Sequence, residues 1–185
     1  TRKIEEKVLA LFDFFGVSNH YAWKSYYYNQ ELKVSFRISL AHTNESMAVS
    51  AWLREGERKA KTIDVPTFNA SSLKESLTKI KDIMANHPDS FFEDLQDICI
   101  KAGVIVLYTP CLPKAPIHGS TRWIGETPLV QLSARYRTND RFWFTFFHEI
   151  GHILLHGKKY ISIENISYSD QDLSKEKEAD NFAIK

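Results

Sequence analysis

The sequence predicts an α+β fold with a small mixed sheet, divided between a helical N-terminal region over residues 1–102 and a second domain over residues 103–185. Three observations predict it. Apolar residues recur at helical spacing through much of the first hundred positions, short apolar runs punctuated by prolines occupy residues 104–134, and two further helical patterns close the chain. Helices first, a small sheet next and helices last is an α+β order rather than an alternating βαβ one.

Between Arg2 and Phe15 the residues Ile4, Val8, Leu11, Phe12 and Phe15 repeat at helical spacing, and Gly16 follows as a stop signal. A short helix is expected over Tyr21–Asn29 and a longer one over Phe36–Ala60, with Met47, Ala51 and Trp52 turned inward. Thr62–Ala70, which contains Pro66, reads as a connection. Ser72 with Glu75 three residues later forms a capping box opening a helix to about Ala85. Asn86-His87-Pro88-Asp89 ends that helix, and Ser90 with Glu93 opens another to Ala102. Gly103 releases Val104-Ile105-Val106-Leu107-Tyr108, a continuous apolar run of the buried-strand type. Ser120–Ile124 and Leu129–Ala134 read as two more strands, and Arg135–Asp140 leads into the next helix.

A chain of 185 residues with 43% apolar and 13% aromatic side chains can build a real core. Lys and Arg number 24 against 23 Asp and Glu, so no basic surplus argues for nucleic-acid binding by this segment. Cys99, in a helical pattern, and Cys111, in a proline-flanked loop, form neither a disulfide framework nor a CxxC site and read as reduced thiols. No run approaches the ~18 apolar residues of a membrane span, and no signal peptide opens the chain. A cytoplasmic protein without a membrane partner is therefore expected. The chain begins at Thr1 and stops at Lys185 inside a helical pattern, which reads as a piece of a longer polypeptide.

The chemistry is concentrated in Phe142–His156. On a helix otherwise apolar all round, Thr145, His148, Glu149, His152 and His156 fall in one polar stripe, and a buried stripe of that kind must be satisfied by something. His148 and His152 stand one turn apart with Glu149 between them, the H-E-x-x-H arrangement. Two imidazoles at i and i+4 can aim their nitrogens at one Zn2+ ion, and the intervening carboxylate suits a general base acting on water. A catalytic site needs a third protein ligand from another element. In the last helical pattern Glu176, Ala179, Asp180 and Ala183 share a face, with small alanines allowing close approach, whereas Glu178 points elsewhere with Phe182 and Lys185. Glu176 is accordingly expected as the ligand and Asp180 as a partner to a ligating histidine, with Glu178 the alternative ligand and Ser174 the N-cap of the helix. A structural zinc site is the weaker reading, because such sites are usually closed by four Cys or His ligands. His156 reads as a helix-end histidine near the C-terminal dipole.

Phe144-Thr145 leading into His148-Glu149-Ile150-Gly151-His152-Ile153-Leu154-Leu155-His156, followed by Glu176–Ala183, resembles the ImmA/IrrE family of zinc metallopeptidase-like domains. The likeness extends upstream through Gly119–Trp123 and Val130–Ser133. It implies a zincin-like fold in which an edge strand holds an extended peptide above the metal, and Leu129–Ala134 is the expected strand. It also implies a setting. Such domains are often fused to helix-turn-helix modules and act in transcriptional control or toxin-antitoxin systems, so DNA would be met only through a module outside this segment. A zinc endopeptidase cutting a repressor or regulator is the expected function, with Glu149 catalytic and Arg122, Tyr136 or Tyr160 as potential oxyanion partners. The alternative is a regulatory or antitoxin-type module that uses the fold for sensing or partner binding. Trp23, Tyr26, Tyr27, Tyr28 and Trp52 would serve an interface in that case, and packing otherwise.

Overall fold

The apolar run after Gly103 forms the first strand of a four-stranded mixed sheet in the computed structural model, which describes residues 2–26, 46–113, 117–133, 138–159, 162–163 and 170–185. Strands β1 (Ile105–Tyr108), β2 (Gly119–Ile124), β3 (Thr127–Leu132) and β4 (Ser162–Ile163) lie in the order β1-β3-β2-β4. β2 and β3 are antiparallel, with Ile124 opposite Thr127 across the two-residue turn Gly125-Glu126. Gly125 takes φ 61°, and a glycine in first place is what such a two-residue turn requires. β1 joins β3 in parallel, and β4 pairs antiparallel with Ser120 and Thr121 of β2.

This order corrects one expectation. The strand assigned to peptide pairing over Leu129–Ala134 runs from Thr127 to Leu132 and is bonded on both sides, to β1 and to β2, so it is an interior strand. An alternating pattern identifies a strand but not its neighbours, and here the apolar β1 takes the place beside it. Ala134 lies outside the described residues.

Side-chain alternation sends the two faces of the sheet to different helices. Val106, Val130 and Leu132 pack with Leu73 and Ile80 of α4 (Ala70–Asn86), Leu95 and Cys99 of α5 (Phe91–Lys101), and Trp143, Phe146 and Ile150 of α6 (Asn139–His156). On the opposite face, Ile105, Leu107 and Leu129 meet Ala60 of α3 (Ser46–Ala60). Further along α3, Val49, Trp52 and Leu53 close on Phe15 of α1 (Arg2–Phe15) and on Ile117. Trp52 is fully buried and its indole donates to the Thr109 carbonyl at 3.0 Å. Met47, expected inward, is exposed, and the half of the long helix expected before Ser46 lies outside the described residues. So does the end of the expected Tyr21–Asn29 helix, whose described part is α2 (His20–Trp23), capped by the Asn19 side chain, and a π-helical turn over residues 24–26.

Two helix starts differ from the expected capping boxes. Asn69 accepts from the Ser72 N–H at 3.0 Å and opens α4 at Ala70, ahead of Ser72, since asparagine at least equals serine as an N-cap. Ser90 does precede α5, but its hydroxyl donates to Asp94 Oδ2 at 2.8 Å and caps no backbone group. At the end of α4, His87 adopts φ 42° and its N–H bonds the Ile83 carbonyl.

Candidate metal centre

Helix α6 is the spine of the site. Its N-terminal turn follows Thr138, whose side-chain hydrogen bond holds the Asp140 carboxyl below the ordinary carboxylate range. From Thr145 to Ile153 every residue of α6 is buried, including His148, Glu149 and His152. So polar a stripe in a core requires partners, and α7 (Asp170–Ile184) packs closely along α6 to supply them. Gly151 makes the approach possible: a Cβ there would lie 3.2 Å from Phe182 Cδ1 and 3.3 Å from the Ala179 Cα. Ala179 is itself fully buried, in keeping with a small face on α7.

Three side chains converge where the helices meet. His148 Nε2 and His152 Nε2 are 3.0 Å apart, and the Glu176 carboxylate lies 3.3 Å from the first and 3.4 Å from the second. Among the described residues these three form a group able to hold a metal ion, with one donor atom from each within 4.8 Å of the others. The spacing fits the chemistry of the donors. Bonds of about 2.0–2.1 Å to a tetrahedral zinc ion set ligand atoms about 3.3 Å apart. Burial holds His152 below the ordinary imidazole range, against the opposing pull of its hydrogen bond to Glu176. Neutral imidazole is the form that ligates a metal.

Further side chains hold the histidines. Asp180 Oδ1 lies 2.9 Å from His148 Nδ1, as expected of a partner to a ligating imidazole. Glu178, the alternative third ligand, turns instead to His156, with Oε2 at 3.2 Å from Nε2. His156 in turn places Nδ1 at 2.9 Å from His152 Nδ1. Sequence reasoning assigned His156 to the helix end and missed this link, although the i+4 step from His152 to His156 was the available signal. Phe182 was expected to point away from the site and packs inward against Gly151. The interface of α7 is broader than one narrow face. α7 also starts at Asp170, so Ser174 lies inside the helix and is not its N-cap.

Glu149, completely buried, turns toward β2. A Cβ on Gly119 would fall 2.7 Å from Glu149 Oε1 and 2.6 Å from Thr145 Cγ2, so the strand can lie this close only because residue 119 lacks a side chain. Thr121 adds a hydrogen bond from Oγ1 to the Glu149 carbonyl at 3.0 Å. Gly119 is a second residue that sequence reasoning missed.

Arg122, expected as a possible oxyanion partner, lies on the other face of the sheet. Strand alternation turns Gly119 and Thr121 toward α6 and Arg122 toward α3. There its guanidinium donates to the Leu53 carbonyl at 2.6 Å and to Gln131 Oε1 at 2.7 Å. Tyr136 and Tyr160 lie outside the described residues.

The family model of the IrrE N-terminal-like domain, a peptidase family, matches residues 99–185. Residues 99–185 form an ImmA/IrrE-family domain. No curated protein and no solved structure matches the chain. The matched segment of this ImmA/IrrE-family domain runs from the end of α5 through the sheet, α6 and α7. It therefore contains His148, Glu149, His152, Glu176 and Asp180. Membership in a metallopeptidase family implies a metal cofactor and a protein substrate. No helix among the described residues is long and apolar enough to cross a membrane.

Proposed function

We propose that this ImmA/IrrE-family domain is a zincin-like, zinc-dependent endopeptidase that hydrolyses peptide bonds of a partner protein, a repressor or other regulator. The observation that carries the reading is the convergence, within 4.8 Å, of two imidazoles of α6 and one carboxylate of α7, with the buried Glu149 on the same helix as the imidazoles. His148, His152 and Glu176 would hold the ion. Zinc bound by them supplies Lewis acidity toward a peptide carbonyl and toward water.

The chain's own residues do the rest. Glu149 takes the proton of the attacking water and delivers it to the leaving amine nitrogen. Gly119, packed against its carboxylate, limits the positions that carboxylate can adopt. Asp180 accepts from His148 Nδ1–H, which leaves Nε2 with its lone pair for the ion. The substrate strand pairs along β4, the outermost described strand on the side of β2, which carries Gly119 and so adjoins Glu149.

The test combines elemental analysis with cleavage of a proteome-derived peptide library, read by mass spectrometry. One zinc per chain is expected, lost in His148→Ala and kept in Glu149→Gln, with cleavage abolished in both. Full cleavage by Glu149→Gln, or a wild-type protein that takes up no zinc, would sink the reading.

A further inference from the structure

We propose that His156 and Glu178 form a positioning pair that fixes the tautomer and orientation of His152 as a metal ligand, an inference that rests on the zinc reading above. His152 directs Nε2 toward His148 Nε2 at 3.0 Å and toward Glu176 at 3.4 Å, so Nε2 is the nitrogen that faces the ion. A neutral imidazole whose Nε2 lone pair serves a metal carries its proton on Nδ1. His152 Nδ1 is 2.9 Å from His156 Nδ1, so His152 donates and His156 accepts. The proton of a neutral His156 then sits on Nε2, 3.2 Å from Glu178 Oε2, and an ionised carboxylate can only accept. One arrangement of protons satisfies every link.

The chain runs from core to surface: the His152 side chain is fully buried, that of His156 is 5% exposed and that of Glu178 57% exposed. It parallels the contact between His148 and Asp180, with an imidazole inserted. The histidine nearer the start of α6 takes its carboxylate directly from α7. The Nδ1 of the one a turn later reaches an α7 carboxylate through His156.

Zinc affinity, measured by competition with a chromophoric chelator, tests the pair in the full chain. Removing a hydrogen-bond partner of a ligand typically weakens metal binding about 10- to 100-fold. His156→Ala is expected at the lower end of that range and Glu178→Ala at a smaller loss in the same direction. His156→Asn, whose amide can both accept and donate, is expected to recover part of the affinity. The metal-free unfolding midpoint of each variant separates lost positioning from lost folding. Wild-type affinity in His156→Ala or in Glu178→Ala overturns the pair while leaving the zinc reading intact. A wild-type protein that binds no zinc overturns both. Should His156→Ala fail to fold, nitrogen-15 NMR of the zinc-loaded wild type decides: protons on His152 Nδ1 and His156 Nε2 are expected, and a proton on His156 Nδ1 overturns the proposal.

Discussion

The α-carbon of Gly119 abuts the carboxylate of Glu149 so closely that a methyl group added there would lie 2.7 Å from Oε1. Strand β2 and helix α6 are thus locked at a distance set by a missing side chain, and the group held at that distance is the proposed base. Gly119→Ala must displace either the strand or both the carboxylate and the Thr145 methyl group, which would lie 2.6 Å away. Overpacking of this kind costs about 1–3 kcal/mol, which urea unfolding would register. Peptide cleavage is expected to fall more than zinc content, because the ligands lie on α6 and α7. Wild-type stability together with wild-type turnover would show that the contact yields without consequence.

Asp180 gives a second prediction. Its carboxylate is half exposed, so as a surface ion pair it would contribute little to stability. Its place at 2.9 Å from His148 Nδ1 matters through the metal instead. Asp180→Ala is expected to lower zinc affinity by about 10- to 100-fold with a nearly unchanged metal-free unfolding midpoint. A large drop in that midpoint with unaltered affinity would identify Asp180 as a fold determinant.

Much of this arrangement is legible in the residues, for definite reasons. His148, Glu149 and His152 lie on one helix at fixed spacing, and local geometry determines how they stand to one another. The small face of Glu176, Ala179, Asp180 and Ala183 could be read as a close-packing partner because helical neighbours follow a fixed period. What escaped depends on where other elements lie. Leu129–Leu132 can be read as a strand from its apolar residues, yet its interior position follows from β1 pairing beside it. The role of Gly119 appears only once β2 crosses α6, and the link of His156 to Glu178 needs the register of α7 on α6. Two-residue alternation places Arg122 on the face opposite Gly119 and Thr121, but which of the two faces meets α6 follows only from the packing of β2.

That far face supports a third prediction. Arg122 is buried against α3, holding the Leu53 carbonyl and Gln131, and the Gln131 amide donates to the Trp52 carbonyl at 2.7 Å. Gly56 leaves the space for Gln131, since a Cβ at Gly56 would fall 2.0 Å from Gln131 Oε1. Arg122→Ala leaves buried acceptors without their donor and is expected to cost about 3 kcal/mol, toward the upper end of the ordinary range for one substitution. Zinc stoichiometry in the folded fraction should stay at the wild-type value. Loss of metal from a protein that remains folded would contradict the separation of the two faces.

Cys99 supplies the pH prediction. Burial in the core beside Leu95 raises its thiol from the ordinary 9.0 to about 12, so the folded chain keeps a proton that the unfolded chain releases. A group whose folded value is raised contributes stability that is fully present below the unfolded value and is lost as pH climbs through the folded one. Between about pH 9 and about pH 12 the unfolded state binds fewer protons than the native state, and stability must fall. Cys99→Ala removes that component at the cost of a small cavity. The stability advantage of wild type over Cys99→Ala, measured by urea unfolding, should therefore shrink as pH rises through this window, while groups common to both proteins cancel. An advantage that stays constant up to about pH 11 would mean the thiol ionises equally in both states. The same burial makes a second reading available at neutral pH: a thiol reagent should label the partly exposed Cys111 in the native protein and reach Cys99 only after denaturation.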